Sequence, residues 1–128
     1  MKASLILALL LLLPAQMVSA QDDYAGAWDG TWIAEGTLFT IRVAVSNGAM
    51  TITQVESLGF EWSNQAGVVN GDVVEVEVQY AGVSGIIQAQ LVDEDTAIAF
   101  AKTCLPDFMV VCVLAKDRQA VFRRTSAP

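Results

Sequence analysis

The sequence has no histidine, two cysteines, three prolines and seven basic side chains against fourteen acidic ones in 128 residues. Each shortage removes a class of function. Without histidine there is no Ser-His-Asp triad, no HExxH site and no common ligand for zinc or copper, so neither the usual acid–base catalysis nor a transition-metal centre is expected. A formal charge of −7 argues against the basic footprint that holds nucleic acid. The chain is too short for a nucleotide-binding domain joined to a substrate domain, and no cofactor is expected. Long apolar runs are scarce as well, and the one that exists stands at the N-terminus.

Residues 1–20 read as a secretory signal peptide. Lys2 supplies the positive start, residues 5–13 are unbroken apolar, Pro14 ends the run, and Val18-Ser19-Ala20 offers small residues for cleavage. The run is about half of the roughly twenty residues a bilayer-spanning helix needs. The expected mature chain, residues 21–128, is therefore a single domain without a membrane span, periplasmic or secreted. No cysteine stands at the cleavage point to carry a lipid. Loss of Lys2 makes this chain one unit more negative than the whole, a charge that favours solubility and steers basic partners.

What fills the rest is alternation. Over residues 37–46, Phe39, Ile41, Val43 and Val45 share one face and Thr40, Arg42 and Ala44 the other; over 72–80, Val74, Val76, Val78 and Tyr80 oppose Glu75, Glu77 and Gln79. Turn signals recur at short intervals, with Asn47-Gly48 and Asn70-Gly71 the strongest because Asn-Gly supplies the positive φ of two-residue hairpins. The predicted strands are 30–34, 37–46, 49–57, 58–63, 67–70, 72–80, 83–92, 96–104, 109–115 and 119–124, with no helix. This is an all-β chain, an antiparallel meander whose simplest closure is a small up-and-down barrel of about eight strands. A sandwich of two sheets is the alternative. The segments 96–104 and 109–115 are apolar on both faces, so one face needs a cavity, a neighbouring segment or a partner to cover it.

Cys104 and Cys112 are expected to form a structural disulfide, brought together by a hairpin turning at Pro106-Asp107-Phe108. Carboxylates are the only abundant catalytic side chains, yet Glu75 and Glu77 lie opposite a valine stripe as on any solvated strand, and the run Asp93-Glu94-Asp95 reads as a hairpin tip. Ser84 has neither a GxSxG frame nor a base. No enzyme is expected.

The segments AWDGTWIAEG (27–36) and AVFRRTS (120–126) carry a resemblance. Gly30-Thr31-Trp32 resembles the GxW motif that opens the first strand of lipocalins and other calycin barrels, in which an arginine of the last strand caps the tryptophan at the closed end. The resemblance implies that Gly30, Trp32 and either Arg123 or Arg124 are structural. It also implies a non-enzymatic barrel that binds a small apolar ligand. Candidate interior residues are Phe39, Ile41, Val43, Trp62, Val76, Val78, Tyr80, Ile87, Leu91 and Phe100. Two alternatives stand beside it. One is a protein-binding module, such as an inhibitor of an extracytoplasmic hydrolase, that meets a basic partner through residues 105–109; the other is a structural envelope protein.

Overall fold

A computed structural model describes residues 26–126; the signal-peptide reading falls outside them. Nine strands form one antiparallel sheet: β1 (Gly30–Ala34), β2 (Thr40–Ser46), β3 (Ala49–Glu56), β4 (Trp62–Asn64), β5 (Gly67–Asn70), β6 (Val73–Tyr80), β7 (Val83–Asp93), β8 (Thr96–Leu105) and β9 (Gln119–Ser126). The sheet closes on itself, because β9 pairs with β1 as well as with β8 and β6 pairs with β7 as well as with β5. Eight strands make the barrel wall, in the order β1-β2-β3-β5-β6-β7-β8-β9. Closure of the ring replaces the sandwich alternative and gives every wall strand a partner on both sides over part of its length.

The short β4 lies along the same edge of β6 as β5. It opposes Val78–Tyr80 where β5 opposes Val73–Glu75, and the Gln65 amide bridges the interval by donating to Glu77 O at 3.0 Å. Next to β4 the wall is split. Main-chain pairing of β3 with β5 covers only Ala49 and Met50, and farther up β3 the Gln54 side chain donates to Trp62 O at 2.8 Å. Gly67 sits at this junction because a Cβ there would lie 2.7 Å from Val76 Cγ2 and 3.2 Å from Met50 Cβ.

Two sequence expectations are corrected. Residues 110–115 form a helix, α1 (Val110–Ala115), in place of the strand predicted over 109–115. A short apolar run does not distinguish the two states by pattern. Here β9 takes the edge of β8 only from Phe100 to Thr96, and the helix satisfies its own backbone without a strand partner, Val113 N donating to Met109 O at 3.0 Å. The predicted strand 58–63 is mostly loop and contributes only to β4. Among the hairpins, Asn47 and Gly48 both take positive φ, 54° and 78°, as a type I′ turn requires. At the other Asn-Gly the turn falls one residue later: Asn70 still pairs with Val73, and Gly71 alone has positive φ, 68°.

The connections sort the barrel into two ends. Loops 35–39 and 57–61, the turn at Ala81-Gly82 and the segment 106–118 lie at one end, the mouth. The helical residues 26–28 and the turns at Asn47-Gly48, Gly71-Asp72 and Glu94-Asp95 lie at the other. The core concentrates toward that second end, where Trp28, Trp32, Val43, Met50, Val69, Val74, Val76 and Ala97 pack together. The Trp32 indole N–H donates to Trp28 O at 2.8 Å and that of Trp28 to Gly71 O at 3.1 Å, so both large rings are buried without an orphaned donor.

Candidate functional site: an apolar cavity in the barrel

The barrel is not filled. Above the two tryptophans lies a cavity of about 520 Å³, within the roughly 300–1,000 Å³ of small-molecule sites. Its shape follows from which side chains point inward. On β2, β3 and β6 the inward positions carry Ile41, Val43, Met50, Ile52, Val74, Val76 and Val78; on β7, β8 and β9 they carry Ala89, Ala97, Ala99, Ala101 and Ala120. Ala89, Ala99 and Ala120 stand side by side in register across three strands. This row of methyl groups cannot reach the opposite wall, and the space they leave is the cavity.

Toward the mouth the walls become aromatic. Phe39 lies 5.8 Å from Trp62 and 6.3 Å from Phe122, centroid to centroid, while Phe60 meets Tyr80 edge-on at 5.5 Å. The Trp62 indole nitrogen is buried without a hydrogen-bond partner. Arg118 and Gln119, where the chain leaves the helical segment for β9, complete the lining.

Most of the residues singled out from sequence meet here: Phe39, Ile41, Val43, Trp62, Val76, Val78, Tyr80 and Ile87 all line the cavity. Phe100 contributes to the lining but is 37% exposed. Leu91 does not line it and packs against the closed-end core. Lining residues outside that candidate set are chiefly Met50, Ile52, the alanines, Phe60 and Phe122. The alternation of Ala97, Ala99 and Ala101 is the sequence signal for the alanines.

At the closed end the two arginines separate. Arg124 Cζ lies 5.4 Å from the Trp32 ring centroid, over its face. Its guanidinium also donates to Asp29 O at 2.7 Å, to Gly26 O at 3.4 Å and to Glu94 O, and pairs with Asp95 at 3.2 Å. Arg123 points elsewhere, donating to Glu35 at 2.7 Å and to the Thr96 hydroxyl at 2.9 Å. The Glu35 carboxylate holds the Arg123 guanidinium protonated to still higher pH than usual. Gly30 has φ 132°, a conformation that favours glycine. In the hairpin after β7, the Asp93 carboxyl lies below its ordinary range, first because it accepts the Asp95 amide at 2.9 Å and next through the Thr96 hydroxyl.

Cys104 and Cys112 are bonded, with Cα atoms 5.4 Å apart. The bridge joins β8 to α1 rather than two strands of a hairpin. Cys112 is the buried residue of that helix. Around it the rim is apolar and exposed: Leu105, Phe108, Val110, Val113 and Leu114 face solvent, Phe108 being 77% exposed.

The other chemical candidates lie apart from the cavity. Glu77 is exposed on the outside of β6, as its sequence pattern predicts, and Glu75 pairs there with Lys102 at 2.7 Å. Asp93, Glu94 and Asp95 occupy a hairpin tip. No helix of the described residues is long and apolar enough to cross a membrane. Compared with family models, curated proteins and solved structures, the chain matches none of them.

Proposed function

We propose that the protein is a non-enzymatic, lipocalin-like carrier, secreted or periplasmic, that takes a small apolar ligand into the barrel. The observation that carries this reading is the cavity of about 520 Å³, walled by aliphatic and aromatic side chains and kept open by the alanine row. An apolar molecule entering it removes apolar surface from water on both sides of the contact, at about 25 cal/mol per Å². The Arg124–Trp32 closure at the far end fits a lipocalin-like plan, in which one end is sealed and the other admits ligand. The disulfide fits an oxidising compartment.

Displacement titration with a neutral fluorescent probe such as N-phenyl-1-naphthylamine, together with melting in the presence of a lipid panel, tests the reading. A ligand at a hundred times its Kd adds about 2.7 kcal/mol, which raises Tm by roughly 10 °C or more. A panel that leaves Tm unchanged, with no probe fluorescence gained, refutes it.

The exposed apolar rim of residues 105–114 favours a second reading, a protein-binding module that meets its partner there. Replacement of Phe108 and Val110 by serine would abolish capture of such a partner and leave ligand titrations untouched.

A further inference from the structure

The cavity lining contains a single charged side chain, and it stands at the mouth. Arg118 reaches the lining from the segment between α1 and β9. Its backbone is fixed: the Lys116 amide donates to Cys112 O at 3.1 Å, Asp117 adopts a left-handed turn with φ 59°, and the Arg118 amide donates to Ala115 O at 3.2 Å. The disulfide then ties this turn to β8. The position of the arginine is thus set by a stapled loop and not by a free one.

The three ion pairs of the described residues join Lys102 to Glu75, Arg123 to Glu35 and Arg124 to Asp95. Arg118, like Arg42 and Lys116, is in none of them, although the chain carries twice as many carboxylates as cations, and of these three only Arg118 lines the cavity. A guanidinium left unpaired in so acidic a protein, at the edge of an apolar cavity, is complementary to an oxyanion attached to an apolar body. Its planar fork matches a carboxylate in a bidentate way. Because Arg118 is exposed, the head group keeps part of its hydration and the pair is not penalised by full burial. The net negative charge disfavours the same anion over most of the remaining surface.

Resting on the carrier reading above, we infer that the ligand is a single-chain amphiphile with a terminal carboxylate, its apolar body in the cavity and its head group on Arg118. The test measures displacement of the neutral probe by dodecanoate, dodecanol and methyl dodecanoate, all below their aggregation limits, in wild type and in Arg118→Gln and Arg118→Lys. Dodecanoate is expected to bind about five- to tenfold more tightly than the two neutral compounds. That advantage disappears in Arg118→Gln, is partly restored in Arg118→Lys, and shrinks as salt is raised. The melting temperature of unliganded Arg118→Gln should match wild type, which separates head-group recognition from folding. Equal binding of the three compounds, or a carboxylate preference that survives Arg118→Gln, overturns the inference while the cavity reading stands. Failure of the neutral probe itself to bind overturns both.

Discussion

Replacement of Ala99 by leucine tests whether the space inside the barrel is genuine. Ala99 is buried, faces inward at the centre of β8, and has Ala89 and Ala120 as its cross-strand neighbours. Leucine adds three carbon atoms at this point. If they extend into open cavity, they remove apolar surface from water at about 0.8 kcal/mol per methylene, so the unliganded protein gains up to about 2 kcal/mol. If the interior is close-packed instead, the same atoms force neighbours out of their rotamers and cost about 1–3 kcal/mol. The two cases differ in sign. For a domain of this size each kcal/mol moves Tm by roughly 4–8 °C, so a near-ultraviolet circular dichroism melt separates them easily. The expected result is a rise in Tm without ligand together with about tenfold or greater loss of affinity for the neutral probe, since ligand and leucine compete for one volume. A fall in Tm with probe affinity unchanged would refute the assignment of the alanine row as the open wall.

Three further outcomes are expected. Ala81 holds a left-handed conformation at φ 54°, which is costly for a residue with a Cβ, so Ala81→Gly should raise stability by about 1 kcal/mol in urea titration. Arg124→Met should lower it by about 2–3 kcal/mol, because the cation–π contact is lost and the carbonyls of Asp29 and Glu94 lose their donor; Arg124→Lys should recover little, for an ammonium cannot fork to those acceptors. The depressed Asp93 carboxyl favours the ionised folded state, so its contribution is complete above the ordinary carboxylate range and disappears as pH falls through the lower folded value. Melts of wild type and Asp93→Asn should therefore differ at neutral pH and begin to draw together only as pH falls below about 4, and a difference that stays constant into that range would contradict the assignment.

Much of the barrel was legible because period two is imposed by geometry: a strand with one face in an apolar interior must alternate, as residues 39–45 and 74–80 do. Alternation reports which face a residue occupies and not how high along the axis it sits. Leu91 shows the difference, for it packs into the closed-end core below the cavity, its amide donating to Asp72 O at 2.9 Å. The cysteine pairing was legible from the number of cysteines and the expected secretory route, but the secondary structure between the cysteines was not. Valines at 110, 111 and 113 suit a strand, yet the segment closes its own backbone hydrogen bonds as a helix, and a run this short does not distinguish the two states by pattern. The cavity itself was readable in one respect alone, the apolar faces of late strands that had nothing assigned to cover them. Its volume depends on alanines facing alanines across β7, β8 and β9, which is a matter of register.

The contacts of Arg124 also bear on the order of folding. Most wall pairings join strands adjacent in the chain, whereas Arg124 reaches Asp29 across 95 residues and Gly26 across 98. Hairpins such as β6–β7 and β7–β8 carry little loop-closure cost and form early, while the β1–β9 seam waits until the whole meander is assembled. An interaction made at that seam is absent from the transition state, so its loss should leave refolding rates nearly unchanged and speed unfolding. In this protein the arginine over the tryptophan would thus act as a latch on the lifetime of the closed ring, with little influence on how quickly the ring is made.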